Sequence, residues 1–266
     1  MTKAVILFTC LICFSCLNAS AQSDSIAEKY MAIGDDYRKN VKPDSAVIFY
    51  AKAGVEYRKL GQLENVANTN NQIGGIRTRQ DRYEEALEYL NKALSIGRSL
   101  ADSNSLVLAT TYINLGVVYN AEEQYDQSLM YHQQALEIRL SKLGEYHADV
   151  ATSYGNLGNV YLNSGDYDQS VVAHLNAMRV REKLFGTSGN EVTQSYYHLG
   201  RAYREKKEYA VSLEYFEKAL KNKIEKFGAG HKELVSVYDA MSNVYYLMGN
   251  KSQGDLYKTK SQEINR

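Results

Sequence analysis

The 266-residue chain has one proline, no tryptophan and three cysteines, and each scarcity closes off a class of structure. With a single proline almost the whole chain can run as helix, because proline removes a backbone donor and breaks helices. All three cysteines, Cys10, Cys13 and Cys16, lie near the N-terminus. Beyond them there is no thiol, hence neither a disulfide framework nor a cysteine-ligated metal site. Charge of one sign is also missing, since 31 basic residues balance 31 acidic ones. Such a chain lacks both the basic field that attracts nucleic acid and the acidic block of a solvating tail. Tyrosine, by contrast, is abundant: 23 copies against six phenylalanines suggest one site used many times.

The cysteines belong to a segment that stands apart. Lys3 supplies a positive start, Ala4–Leu17 is apolar except for Thr9 and Ser15, and Ala19-Ser20-Ala21 precedes Gln22. Positive start, apolar middle and small-x-small end are the parts of a secretory signal peptide. The apolar run is shorter than the ~20 residues that span a bilayer. Residues 1–21 are therefore expected to be removed, leaving a mature, cysteine-free chain of 22–266 without a membrane span, secreted or in the bacterial periplasm. Lipid attachment through Cys16 is a secondary expectation, because Cys13 stands where a lipoprotein signal usually has leucine.

The rest of the chain repeats itself. Tyr112-x-x-Leu115-Gly116-x-x-Tyr119 recurs 42 residues later as Tyr154, Leu157, Gly158, Tyr161, and again as Tyr196, Leu199, Gly200, Tyr203. A further copy reads Tyr238, Met241, Ser242, Tyr245; upstream lie Ile73-Gly74 and then Tyr30, Ile33, Gly34, Tyr37. Downstream in each copy, small residues fall seven apart: Ala46/Ala53, Ala86/Ala93, Ser128/Ala135, Ser170/Ala177 and Ser212/Ala219. Spacings of three, four and seven put each set on one face of a helix. Each copy is thus two amphipathic helices with a tight turn, and the small residues leave room where the helices cross. One such hairpin cannot bury its apolar face alone, so neighbours must stack.

The pattern resembles the tetratricopeptide repeat, and its 42-residue spacing is similar to the long variety typified by kinesin light chain. The resemblance runs from about Ile26 to Ile264 and implies an all-α, right-handed α-solenoid of six helix-turn-helix repeats, near 27–60, 67–100, 109–142, 151–184, 193–226 and 235–266. Two copies depart from it. The second has Asn70 and Arg77 where aromatics belong, which predicts looser packing. The sixth has Lys251, Gly254, Asp255, Lys258 and Ser261 along its second helix, which predicts a polar cap.

Catalytic chemistry is hard to find. No phosphate-binding glycine loop, HExxH, CxxC or nucleophile elbow occurs. His132 and His174 share a repeat position with Tyr50, Leu90 and Phe216, which predicts packing, and His147 and His231 share a loop where they would cap the next helix. We therefore expect no catalytic residue, no metal, no cofactor and no nucleic-acid partner. The resemblance implies that first helices line a concave face where a protein or peptide segment lies. The residues it places there are Asn71, Gln72, Arg79, Asn114, Asn120, Asn156, Asn159, Asn163, His198, Arg201, Arg204 and Asn243. An amide carries both donor and acceptor and can pair with a peptide unit, so a scaffold binding an extended segment is the leading expectation. A sensory module acting through a separate membrane partner is its rival, whereas an enzyme or carbohydrate binder would need groove carboxylates and aromatics that the pattern does not supply.

N-terminal sequencing of exported protein should begin at Gln22; an intact Met1 or a lipid on Cys16 would refute the cleavage.

Overall fold

The computed structural model describes residues 26–100 and 105–264, so the leader and its cysteines lie outside the described residues. The described residues form twelve α-helices and no strand. They are α1 (26–39), α2 (Pro43–Lys59), α3 (Leu63–Arg79), α4 (Tyr83–Ser99), α5 (Leu106–Ala121) and α6 (Tyr125–Leu143). Then follow α7 (Ala148–Ser164), α8 (Tyr167–Phe185), α9 (Asn190–Glu205), α10 (Tyr209–Phe227), α11 (Val235–Leu247) and α12 (Lys251–Ile264). The chain forms two compact units that divide within α5, after Val118. The first contains the hairpins α1/α2 and α3/α4; the second contains α7/α8, α9/α10 and α11/α12. First helices begin at Leu63, Leu106, Ala148 and Asn190, three or four residues before the expected repeat bounds.

Within a hairpin the two helices meet at a glycine that receives a ring or branched side chain from sixteen residues on. A Cβ on Gly34 would lie 2.8 Å from the Tyr50 ring, one on Gly74 2.6 Å from Leu90, one on Gly158 2.7 Å from His174, and one on Gly200 2.7 Å from Phe216. No real Cβ fits at such distances, so the approach of the helices depends on glycine. A hydrogen bond locks the crossing where Ser170 Oγ donates to the Gly158 carbonyl and Ser212 Oγ to that of Gly200, at 2.8 and 2.7 Å.

The last hairpin inverts this arrangement. Serine now stands on the first helix and glycine on the second: Ser242 Oγ donates to the Gly254 carbonyl at 2.8 Å, and the ring entering the notch is Tyr246, 2.6 Å from a Cβ on Gly254. Gly254 and Ser261 are therefore no departure from the pattern; they are its seven-apart small pair, and both are buried. Of the five residues read as a polar cap, Lys251, Asp255 and Lys258 are exposed.

The turns repeat as strictly as the helices. Each connection from first to second helix has one residue with positive φ in the same register: Val41, Asp81, Glu123, Gly165, Lys207 and Gly249. Four of these are not glycine and hold a conformation that L-residues adopt at a cost of about 1–2 kcal/mol. Gly186, after α8, differs from a simple left-handed cap: with φ 70° and ψ 171° it occupies a region open essentially to glycine alone. His147 accepts from the Asp149 amide and His231 from the Glu233 amide, so both cap a helical start as their shared position implied.

Gly158→Leu should destabilise the second unit by about 1–3 kcal/mol or more, since His174 is only 1 % exposed and cannot move aside. Gly254→Leu should cost less, because Tyr246 is 38 % exposed and can swing into solvent. Thermal melts giving equal losses would disprove this account of the inverted notch.

Candidate functional site

In the first unit the first-helix residues divide into buried and open. Asn71 is 3 % exposed, and its Nδ2 donates to the Val107 carbonyl at 3.3 Å. Asn114 Nδ2 in turn donates to the Asn71 carbonyl at 3.3 Å. Asn71 is therefore a tie between α3 and α5 rather than a surface residue, and Asn114 has a structural bond besides its free oxygen. Gln72 is half-buried and Arg79 exposed. A Cβ on Gly75 would lie 3.8 Å from Arg79 Nη1 and 4.0 Å from Asn114 Oδ1, so these two polar heads converge over a bare backbone.

In the second unit Asn163 Nδ2 donates to Asn120 Oδ1 at 3.1 Å, which joins the end of α7 to the end of α5. Arg204 bonds Glu205 at 2.9 Å through Nε and reaches Asn243 Oδ1 at 3.5 Å. Its charge is already neutralised by Glu205. Asn156, Asn159 and Arg201 are half-buried, and none has a hydrogen bond or ion pair among the described residues. Asn159 and Arg201 share one register position on neighbouring first helices, α7 and α9.

His198 belongs to the packing. Its ring stacks on that of His174 at 5.2 Å and 11°, and its Nδ1 is buried without a partner. Burial, then Arg201 and Arg181, depress its pKa to about 4; burial, His198 and the same two arginines depress that of His174 to about 3. His132, also buried, is lowered to about 4, chiefly by desolvation and secondarily by Arg139. The pattern of sequence did not expose these arginines. Arg139 Nη1 bonds Ser153 Oγ and the Asp149 carbonyl, and Arg181 Nη1 bonds Ser195 Oγ at 2.8 Å, so each ties a second helix to the next first helix. Their 42-residue spacing was the available signal.

A sequence profile described as tetratricopeptide repeat matches residues 65–141, 107–183 and 149–225, more than half of the chain. The chain belongs to the tetratricopeptide repeat family. No curated protein matches it in sequence. Among solved structures it is similar to BtubC (BKLC) from P. vanneervenii, with a TM-score of 0.69, 15 % identity, and 91 % of each chain covered. It is similar to the nearly identical TPR-like repeats of a candidate kinesin light chain from P. anserina, with a TM-score of 0.64, 16 % identity, and 77 % of this chain and 98 % of that one covered. The apo form of RapI gives a TM-score of 0.63 at 18 % identity, over 90 % of this chain and 97 % of that one. At such identities the likeness is one of fold. Tetratricopeptide repeat proteins are commonly non-catalytic scaffolds for protein–protein contact. Among the described residues no group of three or more His, Cys, Asp or Glu side chains could hold a metal, and no helix is long and apolar enough to cross a membrane.

The buried histidines make stability pH-dependent. Their folded pKa values lie below the ordinary 6.5, so the unfolded chain takes up protons first as pH falls from about 6.5 towards 4, and stability falls with it. Each contributes about 1.4 kcal/mol per pH unit in that window. The melting temperature of a His132→Leu, His174→Leu variant should fall less between pH 7 and pH 4.5 than that of the wild type; parallel curves would clear the histidines.

Proposed function

We propose that this repeat protein is an exported scaffold whose second unit binds an extended, acidic protein segment along its first helices. Asn156 and Asn159 would hold the peptide backbone, and Arg201 would take a carboxylate. The supporting observation is that these three side chains have no partner among the described residues, whereas Asn120, Asn163 and Arg204 are engaged. Half-buried polar groups without partners gain most from a ligand that brings its own peptide units. The two histidines behind Arg201, held neutral by burial, do not add to its charge at neutral pH. In the first unit Arg79 and the free oxygen of Asn114, over Gly75, offer a similar but smaller pairing.

At about 0.5–1.5 kcal/mol per net hydrogen bond, Asn156→Ala with Asn159→Ala should weaken binding of an acidic ten-residue peptide by roughly ten- to a hundredfold. The melt should hardly change. Arg201→Gln should matter less as salt rises, because exposed charges are screened over about 8–10 Å. Calorimetric titration of the mature protein reads both, and unchanged affinity in the double variant would place the binding surface elsewhere.

A further inference from the structure

Three hairpins share an aromatic device on the side of their second helices. In the first, the Phe49 ring meets Tyr30 at 6.1 Å and stacks on Tyr37 at 5.4 Å. In the fifth, Tyr215 meets Tyr196 at 6.3 Å and Tyr203 at 5.5 Å; in the sixth, Tyr257 meets Tyr238 at 6.0 Å and Tyr245 at 5.4 Å. A lysine three residues after the second-helix ring covers each pair: Lys52 lies 5.0 Å from Phe49, Lys218 4.9 Å from Tyr215, and Lys260 5.1 Å from Tyr257.

The second hairpin retains half of this device. Tyr89 is present and Lys92 covers it at 4.9 Å, but both first-helix rings are gone. Asn70 stands in one place and turns back to its own helix, its Nδ2 on the Val66 carbonyl at 3.0 Å. Arg77 stands in the other, ion-paired with Asp44 at 2.6 Å and Glu85 at 3.2 Å. Where the ring of position 70 would lie, a cleft of about 550 Å³ opens between α2, α3 and α4, floored by Ile73 and bordered by Val55, Arg58, Asn70, Tyr89 and Lys92. That volume is within the roughly 300–1,000 Å³ typical of ligand pockets.

The polar end of the slot is inverted as well. In the fifth hairpin Tyr196 donates its hydroxyl to Glu182 at 2.9 Å. Counting back by the repeat spacings of 42, 42 and 40, the residue in the Glu182 register on α2 is Arg58. Lys59 and Lys92 are paired with Glu56 and Glu88, at 2.8 and 2.6 Å, but Arg58 has no charged partner among the described residues. An aromatic ring is missing and a cation stands where its acceptor would be.

We infer that this slot in the first unit receives an aromatic side chain of a partner protein with a carboxylate beside it. The ring would stack on Tyr89 beneath the Lys92 ammonium, in the position that Tyr196 holds against Tyr215 and Lys218. The carboxylate would pair with Arg58. Neither the slot nor its occupant involves the first-helix residues of the second unit, so the two sites stand or fall separately.

The probe is acetyl-Glu-Glu-Tyr-Glu-Glu-amide, labelled for fluorescence anisotropy, with a Tyr→Ala version beside it. Asn70→Tyr restores the ring that the repeat pattern calls for and should close the slot. It is expected to lower affinity for the tyrosine peptide at least tenfold without lowering the melting temperature, and the alanine peptide should bind at least tenfold more weakly to the wild type. Arg58→Gln should weaken binding at low salt and converge with wild type at high salt, whereas Asn156→Ala with Asn159→Ala should leave the contribution of the tyrosine ring intact. Equal binding of the two peptides, or full binding by Asn70→Tyr, would overturn the proposal. So would self-association that Asn70→Tyr abolishes, because the slot would then belong to a second copy of this chain.

Discussion

Everything regular in this protein depends on how closely two helices approach at a glycine. Cβ positions built on Gly34, Gly74, Gly158 and Gly200 would overlap the side chain opposite by much more than a packed interior tolerates. The residue filling the notch varies freely among Tyr50, Leu90, His174 and Phe216, because the demand on it is volume, not chemistry. The glycine itself does not vary so easily. Where it is replaced, by Ser242, the compensating glycine appears on the partner helix as Gly254, and the ring comes from the opposite direction. The constraint is thus one missing Cβ per crossing, on either helix.

That rigidity is offset by polar groups whose placement follows from neighbouring hairpins. Arg139 and Arg181 bury their stems and donate to the serine of the next first helix. Burying an arginine is costly, and desolvation lowers the pKa of both, opposed by the charges of Asp149 and Glu191. Bonds to a hydroxyl or a carbonyl keep the guanidinium from standing unsatisfied. Arg181 also helps to keep His174 and His198 neutral, and Arg139 does the same for His132, so packing and electrostatics reinforce each other in the second unit.

The departures from the repeat carry more information than its copies. Positions 70 and 77 lack aromatics, and the two losses have different consequences. Arg77 recovers its interactions as ion pairs to Asp44 and Glu85, so that end of the hairpin is not loose. Asn70 recovers only a bond to its own helix, and a cleft remains. The expected looser packing is therefore local to one ring position.

From sequence alone, the 42-residue period, the helix pairs, the seven-apart small residues and the capping histidines could all be read. These are properties of a helix face, and repetition averages away the noise of any one copy. The groove was legible only as a list of register positions. Tertiary structure decided that Asn71 is buried against Val107, that Asn163 engages Asn120, and that His198 stacks on His174, while Asn156, Asn159 and Arg201 have no partner among the described residues. Periodicity fixes which way a side chain points from its own helix. Whether it meets a partner depends on a group brought alongside from 24 to 43 residues away, and no spacing rule within a single helix encodes that.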